Sequence, residues 1–260
     1  LTYSVFFPSM LTAFTVIASI EYGARQRGGT GLIGWVRALP WNDPSVSAQL
    51  LAGILFMFGG IGGLTNASYN INLVIHNTAW VPGHFHLTVA TAVTLTFIGI
   101  TYWLVPHLAG KQLWGRRVAT AQVWTWFVGM VIFSNAMHML GLLGAPRRTP
   151  LGEALYVPDE WNGHLLRVSI GGAILLVSVI LYLVVMYKTF RAPKAAPADV
   201  PDVPIAESLR HPQLTPVWLD RFKPWLIVAG LLLVLSYGPQ LLDQILDMSL
   251  NAPGTDIKVF

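Results

Sequence analysis

His76-Asn77-Thr78-Ala79-Trp80-Val81-Pro82-Gly83-His84-Phe85-His86-Leu87 leads into an apolar run that continues, without an Asp, Glu, Lys or Arg, to Val105. Successive helical residues are rotated by about 100°, so His84 and His86 project from nearly opposite sides of one helix. That helix offers an imidazole to each of two separate partners. Two hemes flanking a transmembrane helix would meet this arrangement, because a heme iron takes an axial imidazole nitrogen. A single zinc ion would not, since ligands from one helix usually reach the same metal from positions i and i+4. The residues alone leave a second reading open, in which membrane-embedded histidines hydrogen-bond across helices or relay protons.

Composition makes this a membrane helix. Hydrophobic residues are 54% of the chain and charged residues 11%, against about 25% charged in soluble domains. The net charge is only +4, which gives no basis for a nucleic-acid partner. With no cysteine, disulfides, iron–sulfur clusters and a cysteine-ligated copper centre are excluded within the chain.

Six segments satisfy the roughly 20 apolar residues a bilayer crossing needs, at about 3–22, 50–68, 81–105, 118–140, 165–187 and 223–242. The fold expected is all-α, a polytopic bundle of about six transmembrane helices forming one domain over 1–260. A flexible linker rich in Pro and Ala is expected at about 191–220. The loops after the first, third and fifth spans carry Arg25, Arg27, Arg37, Lys111, Arg116, Arg117, Lys188, Arg191, Lys194, Arg210, Arg221 and Lys223, twelve of the 16 basic residues. The positive-inside rule makes that side cytoplasmic. His84 and His86 then lie about 6–9 Å below the outer surface, at ~1.5 Å per residue. No basic region precedes the apolar stretch at Leu1, so the first span does not read as a signal peptide. A chain opening on Leu1 within a span reads as the continuation of a longer one.

Other residues carry chemistry. Arg147-Arg148 follow Pro146 in an outer loop; an arginine fork pairs bidentately with a carboxylate, which suits heme propionates, and it also suits lipid headgroups or water. Ser9, Thr12 and Thr15 recur every three residues of the first span. Such a row holds a water chain for protons or packs helices and bonds to its own backbone; spacing alone favours packing. Gly59 and Gly63 read as close helix packing with no catalytic part. His107 and His211 fall in cytoplasmic loops and are expected to be solvated, whereas His138 fits either a supporting group at the site or a core hydrogen-bonder.

The run from His76 to Leu87 resembles the signature of subunit I of the heme-copper oxidases. Gly62-Gly63-Leu64-Thr65-Asn66-Ala67-Ser68, Gly141-Leu142-Leu143-Gly144 and Pro146-Arg147-Arg148 are most similar to its B-type branch, the cytochrome ba-type cytochrome c oxidases. The resemblance runs over the whole chain as the C-terminal six or so spans of that subunit. It implies two hemes. His84 would be the proximal ligand of the high-spin heme where dioxygen binds, His86 one of two axial ligands of the low-spin heme, and Phe85 the residue between them. Arg147 and Arg148 would hold propionates. His76, with Asn66 and Asn77 nearby, would lie at the outer edge of the high-spin heme, where pumped protons load. Ser9, Thr12 and Thr15 would match the single K-type proton path, reversing what spacing alone favours.

The chain departs from the family pattern in two respects. Asn72 stands where close relatives have an acidic residue. No histidine here matches the three copper ligands or the second low-spin ligand, and the crosslinked tyrosine has no counterpart; these are expected in earlier spans. The implied activity is electron transfer from cytochrome c, through the dinuclear copper centre of subunit II and the low-spin heme, to a heme–copper pair that reduces dioxygen to water and drives proton translocation. Without the copper ligands the chain alone is not expected to turn over. The implied setting is the plasma membrane of a bacterial or archaeal cell, with the N-terminal portion of subunit I, subunit II, cytochrome c and lipid as partners. A nitric oxide reductase or quinol oxidase of the same superfamily, and a heme-free transporter or structural subunit, are the rival readings.

Overall fold

The computed structural model describes residues 2–148, 157–195, 216, 218–219 and 221–246. The chain divides into two units, Leu1–Val203 and Pro204–Phe260. The first holds α1 (Thr2–Gln26), α2 (Pro44–Ala67), the short α3 (Tyr69–Ile75), α4 (Trp80–Leu87), a π-helical turn at Thr88–Val93, α5 (Thr94–Ala109), α6 (Arg116–Leu142) and α7 (Asp159–Arg191). The second holds α8 (Phe222–Leu246), where the Trp225 indole donates to the Leu219 carbonyl at 3.0 Å. Among the described residues no strand forms; Thr78 and Pro146 make one isolated antiparallel bridge.

Six helical stretches are long and apolar enough to cross a membrane: Tyr3–Gln26, Pro44–Ala67, Trp80–Ala109, Arg116–Leu142, Asp159–Arg191 and Phe222–Pro239. Each matches an expected span, with shifted ends. The second begins earlier because Asp43 accepts from Val46 N–H at 3.0 Å and Pro44 fits the first helical position. The fifth begins earlier because Asp159 and Glu160 favour a helix N-terminus. The expected linker lies mostly outside the described residues, as do Arg210 and His211.

Hydrogen bonds sort the loops into two ends. At one, Arg116 pairs with Asp43 at 2.7 Å, Thr120 donates to the Asn42 carbonyl at 3.2 Å, and Trp114 N–H donates to Thr189 Oγ1 at 3.1 Å. At the other, Ala79 N–H donates to Ala145 O at 2.8 Å and Arg147 N–H to Asn77 O at 2.9 Å. This alternation is the one the loop charges implied.

The core joins Leu51 and Ala52 of α2, Leu95 and Tyr102 of α5, Val123 of α6 and Val185 of α7, all buried. Helices α6 and α7 cross at Gly129 and Gly171, where a Cβ on Gly171 would stand 2.8 Å from the Phe133 backbone nitrogen. Small residues at such crossings let backbones approach where lipid offers no hydrophobic drive to association. A buried polar chain runs through the same core: Tyr102 donates to Gln122 Oε1 at 2.6 Å, Gln122 Nε2 to Ser178 Oγ at 2.9 Å, and Ser178 to the Gln122 carbonyl at 2.8 Å. Each member is satisfied, which away from water is the condition for tolerating them. Gln122→Leu strands the Tyr102 hydroxyl and should cost about 1–2 kcal/mol, read as a lower melting temperature in detergent. An unchanged melting temperature would mean the network does not hold α5 to α6 and α7.

Candidate functional site

Helix α4 is only eight residues long, Trp80 to Leu87, before the backbone widens into the π turn at Thr88–Val93. There the buried Thr91 hydroxyl donates to the His86 carbonyl. Single π turns concentrate at functional sites because they shift the register of everything beyond them.

The two histidines face different neighbours. The His84 ring lies against α2, where a Cβ on Gly62 would sit 3.1 Å from Nδ1 and one on Gly63 3.4 Å from Cε1. The two glycines form a shallow seat, tight at Gly62, where an added Cβ would press on the ring, and at ordinary contact distance at Gly63. Gly63 keeps the packing reading, since a Cβ there would make only ordinary contact with the ring, and Gly59, whose added Cβ would strike Thr88 Cγ2 at 2.4 Å, packs as expected. His84 Nδ1 is buried and faces the Gly59 backbone without a hydrogen bond of ordinary geometry. On the other side, the His86 ring packs on Phe133 of α6 with centroids 4.8 Å apart. Its Nδ1 lies 2.6 Å from the Pro82 carbonyl. A carbonyl only accepts, so Nδ1 carries the proton and Nε2 presents its lone pair, the tautomer a metal-ligating histidine needs. Phe85 is half exposed between them.

A seat on α6 holds this segment. Ser134, His138 and Gly141 are spaced i, i+4, i+7 and share one face. The buried Ser134 hydroxyl donates to Gly83 O at 2.7 Å, and His138 Nδ1 donates to Ser134 O at 2.7 Å. The Trp80 and His138 rings meet edge-on at 4.6 Å. A Cβ on Gly141 would lie 2.1 Å from Trp80 N, and one on Gly83 2.9 Å from His138 Nδ1. His138, left open by the sequence, supports α4 rather than sharing its exposed face.

At the end where the loops pair, Asn77 and Arg148 both adopt left-handed backbone, each with φ 61°, a conformation that costs a non-glycine residue about 1 kcal/mol or more. The pairing of Thr78 with Pro146 and of Asn77 with Arg147 carries this strain and sets the arginines beside the His76–Asn77 turn. Neither guanidinium meets a carboxylate among the described residues. His76 is exposed, its backbone N–H donating to the Asn72 carbonyl at 2.8 Å. Asn66 Oδ1 and Trp80 Nε1 are buried without hydrogen-bond partners. Imidazoles on opposite faces of α4, arginines that meet no carboxylate among the described residues, and two buried polar atoms without hydrogen-bond partners suit a large planar group bearing carboxylates and a metal. Among the described residues, no three His, Asp or Glu side chains converge to hold a metal ion by themselves.

Ser9, Thr12 and Thr15 lie elsewhere, on α1. Their hydroxyls donate to Val5, Pro8 and Leu11 carbonyls at 2.8, 3.0 and 2.9 Å, the backbone bonding that spacing alone favoured. Each oxygen keeps capacity to accept. Ser9 and Thr12, but not Thr15, line a largely apolar cavity of about 540 Å³ with Trp35, Gln49 and Met57.

Residues 1–174 match the family model described as cytochrome C and quinol oxidase polypeptide I. The chain belongs to that family. Cytochrome c oxidase subunit 1 of Thermus thermophilus is 43% identical over 252 residues, covering 94% of this chain and 44% of that protein. Cytochrome c oxidase polypeptide 1 of Halobacterium salinarum is 32% identical over 165 residues, covering 62% of this chain and 27% of that one. A heme-copper terminal oxidase dimer solved by cryo-electron microscopy superposes with a TM-score of 0.72 at 36% identity, over 92% of this chain and 43% of that one. The chain thus spans less than half the length of these relatives and aligns as part of a family polypeptide I.

The sequence signalled the histidines and arginines, and Gly62 and Gly141 only as parts of a family resemblance, while Ser134 and the close approaches at these glycines went unread. The small-residue spacing on α6 was the available signal. Gly141→Ala would force Trp80 backbone and α6 apart and should sharply lower the yield and melting temperature of folded protein; wild-type behaviour would show that α4 does not need this approach.

Proposed function

We propose that the chain is the heme-carrying C-terminal portion of subunit I of a B-type cytochrome c oxidase. It would be one part of a membrane domain completed by the N-terminal portion of the subunit. The observation that carries this reading is the pair of imidazoles on opposite faces of α4, each with a neighbour that fits it for axial ligation: the glycine seat under His84 and the Pro82 carbonyl fixing His86.

In this reading His84 ligates the high-spin heme and His86 the low-spin heme, with Phe85 between them. Bound heme supplies reversible one-electron chemistry and, where a coordination position stays open, a place for dioxygen. The chain's own residues bind and orient. Pro82 holds the His86 proton on Nδ1. Arg147 and Arg148 neutralise propionates, positioned by the loop pairing, and neither guanidinium meets a carboxylate among the described residues. His76, Asn66 and Asn77 border the propionate region and take part in proton loading, where Asn72 lowers the negative charge that relatives carry. Ser9, Thr12 and Thr15 form one wall of a proton path.

The copper ligands, the crosslinked tyrosine and the second low-spin ligand would come from the N-terminal portion. Electrons would arrive from cytochrome c through the dinuclear copper of subunit II. The site would lie near the outer face of a bacterial or archaeal plasma membrane, the basic loops facing the cytoplasm. The family description also names quinol oxidases; oxidation of reduced cytochrome c, against none with a quinol, separates the two.

The test is a pair of difference spectra, reduced minus oxidised and with carbon monoxide, on membranes carrying the chain with its upstream portion and partner subunit. His84→Ala should remove the carbon monoxide-reactive heme and His86→Ala the low-spin signal. A wild type without heme, or two variants with the wild-type spectrum, would overturn the reading.

A further inference from the structure

The loop between α5 and α6 is fastened to the end of α7. Trp114 N–H donates to Thr189 Oγ1 at 3.1 Å, Ala195 N–H to Gly110 O at 2.9 Å, and the Lys111 ammonium to the Phe190 carbonyl. Lys188 Nζ lies 5.2 Å over the Trp114 ring, within cation–π range. These contacts gather Lys111, Lys188, Arg191 and Lys194 at one end of the bundle. Lys188, Arg191 and Lys194 are exposed. No Asp or Glu occurs in residues 106–117 or 178–195, and Asp43 is taken by Arg116 at 2.7 Å.

An apolar track leads to the same place. Leu176, Ile180, Leu183 and Tyr187, spaced i, i+4, i+7, i+11, are all more than half exposed along one face of α7, and Arg191 continues that face one turn further. Cations at the end of an apolar stripe, with an indole at their level, match the profile of a phospholipid: chains along the helix, phosphate among the basic groups, a tryptophan at the headgroup boundary.

We propose that this surface binds an anionic phospholipid of the surrounding leaflet, its phosphate held by Lys188, Arg191 and Lys194 and an acyl chain laid along Leu176 to Tyr187. The backbone ties from 110–114 to 189–195 arrange the cations before the lipid arrives, so little side-chain ordering is left to binding. A soluble phosphate would make no use of the apolar track. The inference needs only that the spans cross a membrane, so it stands or falls apart from the oxidase reading.

The test is native mass spectrometry of the assembled, delipidated complex with added phosphatidylglycerol or phosphatidylcholine. Wild type should retain phosphatidylglycerol in preference to phosphatidylcholine. Each basic residue near an anionic headgroup is worth about five-fold in affinity, so the double variant Lys188→Gln/Arg191→Gln should bind it at least tenfold more weakly. Lys188→Arg should bind as wild type does, and so should Arg37→Gln, which lies on another loop. Equal retention of the two lipids by wild type, undiminished phosphatidylglycerol binding by the double variant, or displacement of the lipid by millimolar inorganic phosphate would overturn the proposal. If the double variant fails to fold, the wild-type preference between the two lipids decides alone.

Discussion

The rest of the structure depends on how closely α4 lies on α6. Trp80 and Gly83 approach α6 to distances at which a single added methyl on Gly141 or Gly83 would overlap neighbouring atoms. Backbones meet that closely in a membrane only where side chains are small, because lipid tails are as apolar as leucine and supply no hydrophobic drive. What replaces that drive is contact and hydrogen bonding. Ser134 reaches across to Gly83 O, His138 bonds back to Ser134 O and braces Trp80 with its ring edge. With α4 fixed in rotation on α6, His86 falls beside Phe133 and His84 swings toward the glycines of α2.

Strain and satisfaction are distributed unevenly. The end of the bundle with Trp114 and Thr189 is closed by hydrogen bonds, and the buried chain of Tyr102, Gln122 and Ser178 leaves none of its polar groups wanting. The opposite end holds two left-handed non-glycine residues, Asn77 and Arg148, and an orphaned buried acceptor, Asn66 Oδ1. Exceptions to local rules tend to mark places where function overrode stability. Here they border the paired arginines and the His84–His86 segment.

The six spans and the two-faced placement of His84 and His86 were legible in the sequence because both follow from periodicity: about 20 apolar residues for a crossing and 100° per residue for the histidines. The loop pairing that brings Arg147 to Asn77 was not legible in the sequence, since it joins segments 70 residues apart; the resemblance implied only a propionate partner for Arg147 and a heme-edge position for Asn77. What periodicity could not give was the partner face. Gly62 and Gly63 look like any small-residue packing motif until the His84 ring is found resting on them, and His138 could have turned either way. The span ends also shifted, because Asp43-Pro44 and Asp159-Glu160 start helices outside the hydrocarbon, where hydropathy does not register them.

The central claim is that one short helix serves two separate groups, one on each face. The most direct measurement is a cryo-electron microscopy map of the complete assembly containing this chain, at a resolution that places imidazole rings. The result expected is density for two distinct groups, one at the His84 ring and one at His86 Nε2, with Phe85 between them and Pro82 O still bonded to His86 Nδ1. Both rings turned toward a single group, or either ring packed only against protein, would contradict the account.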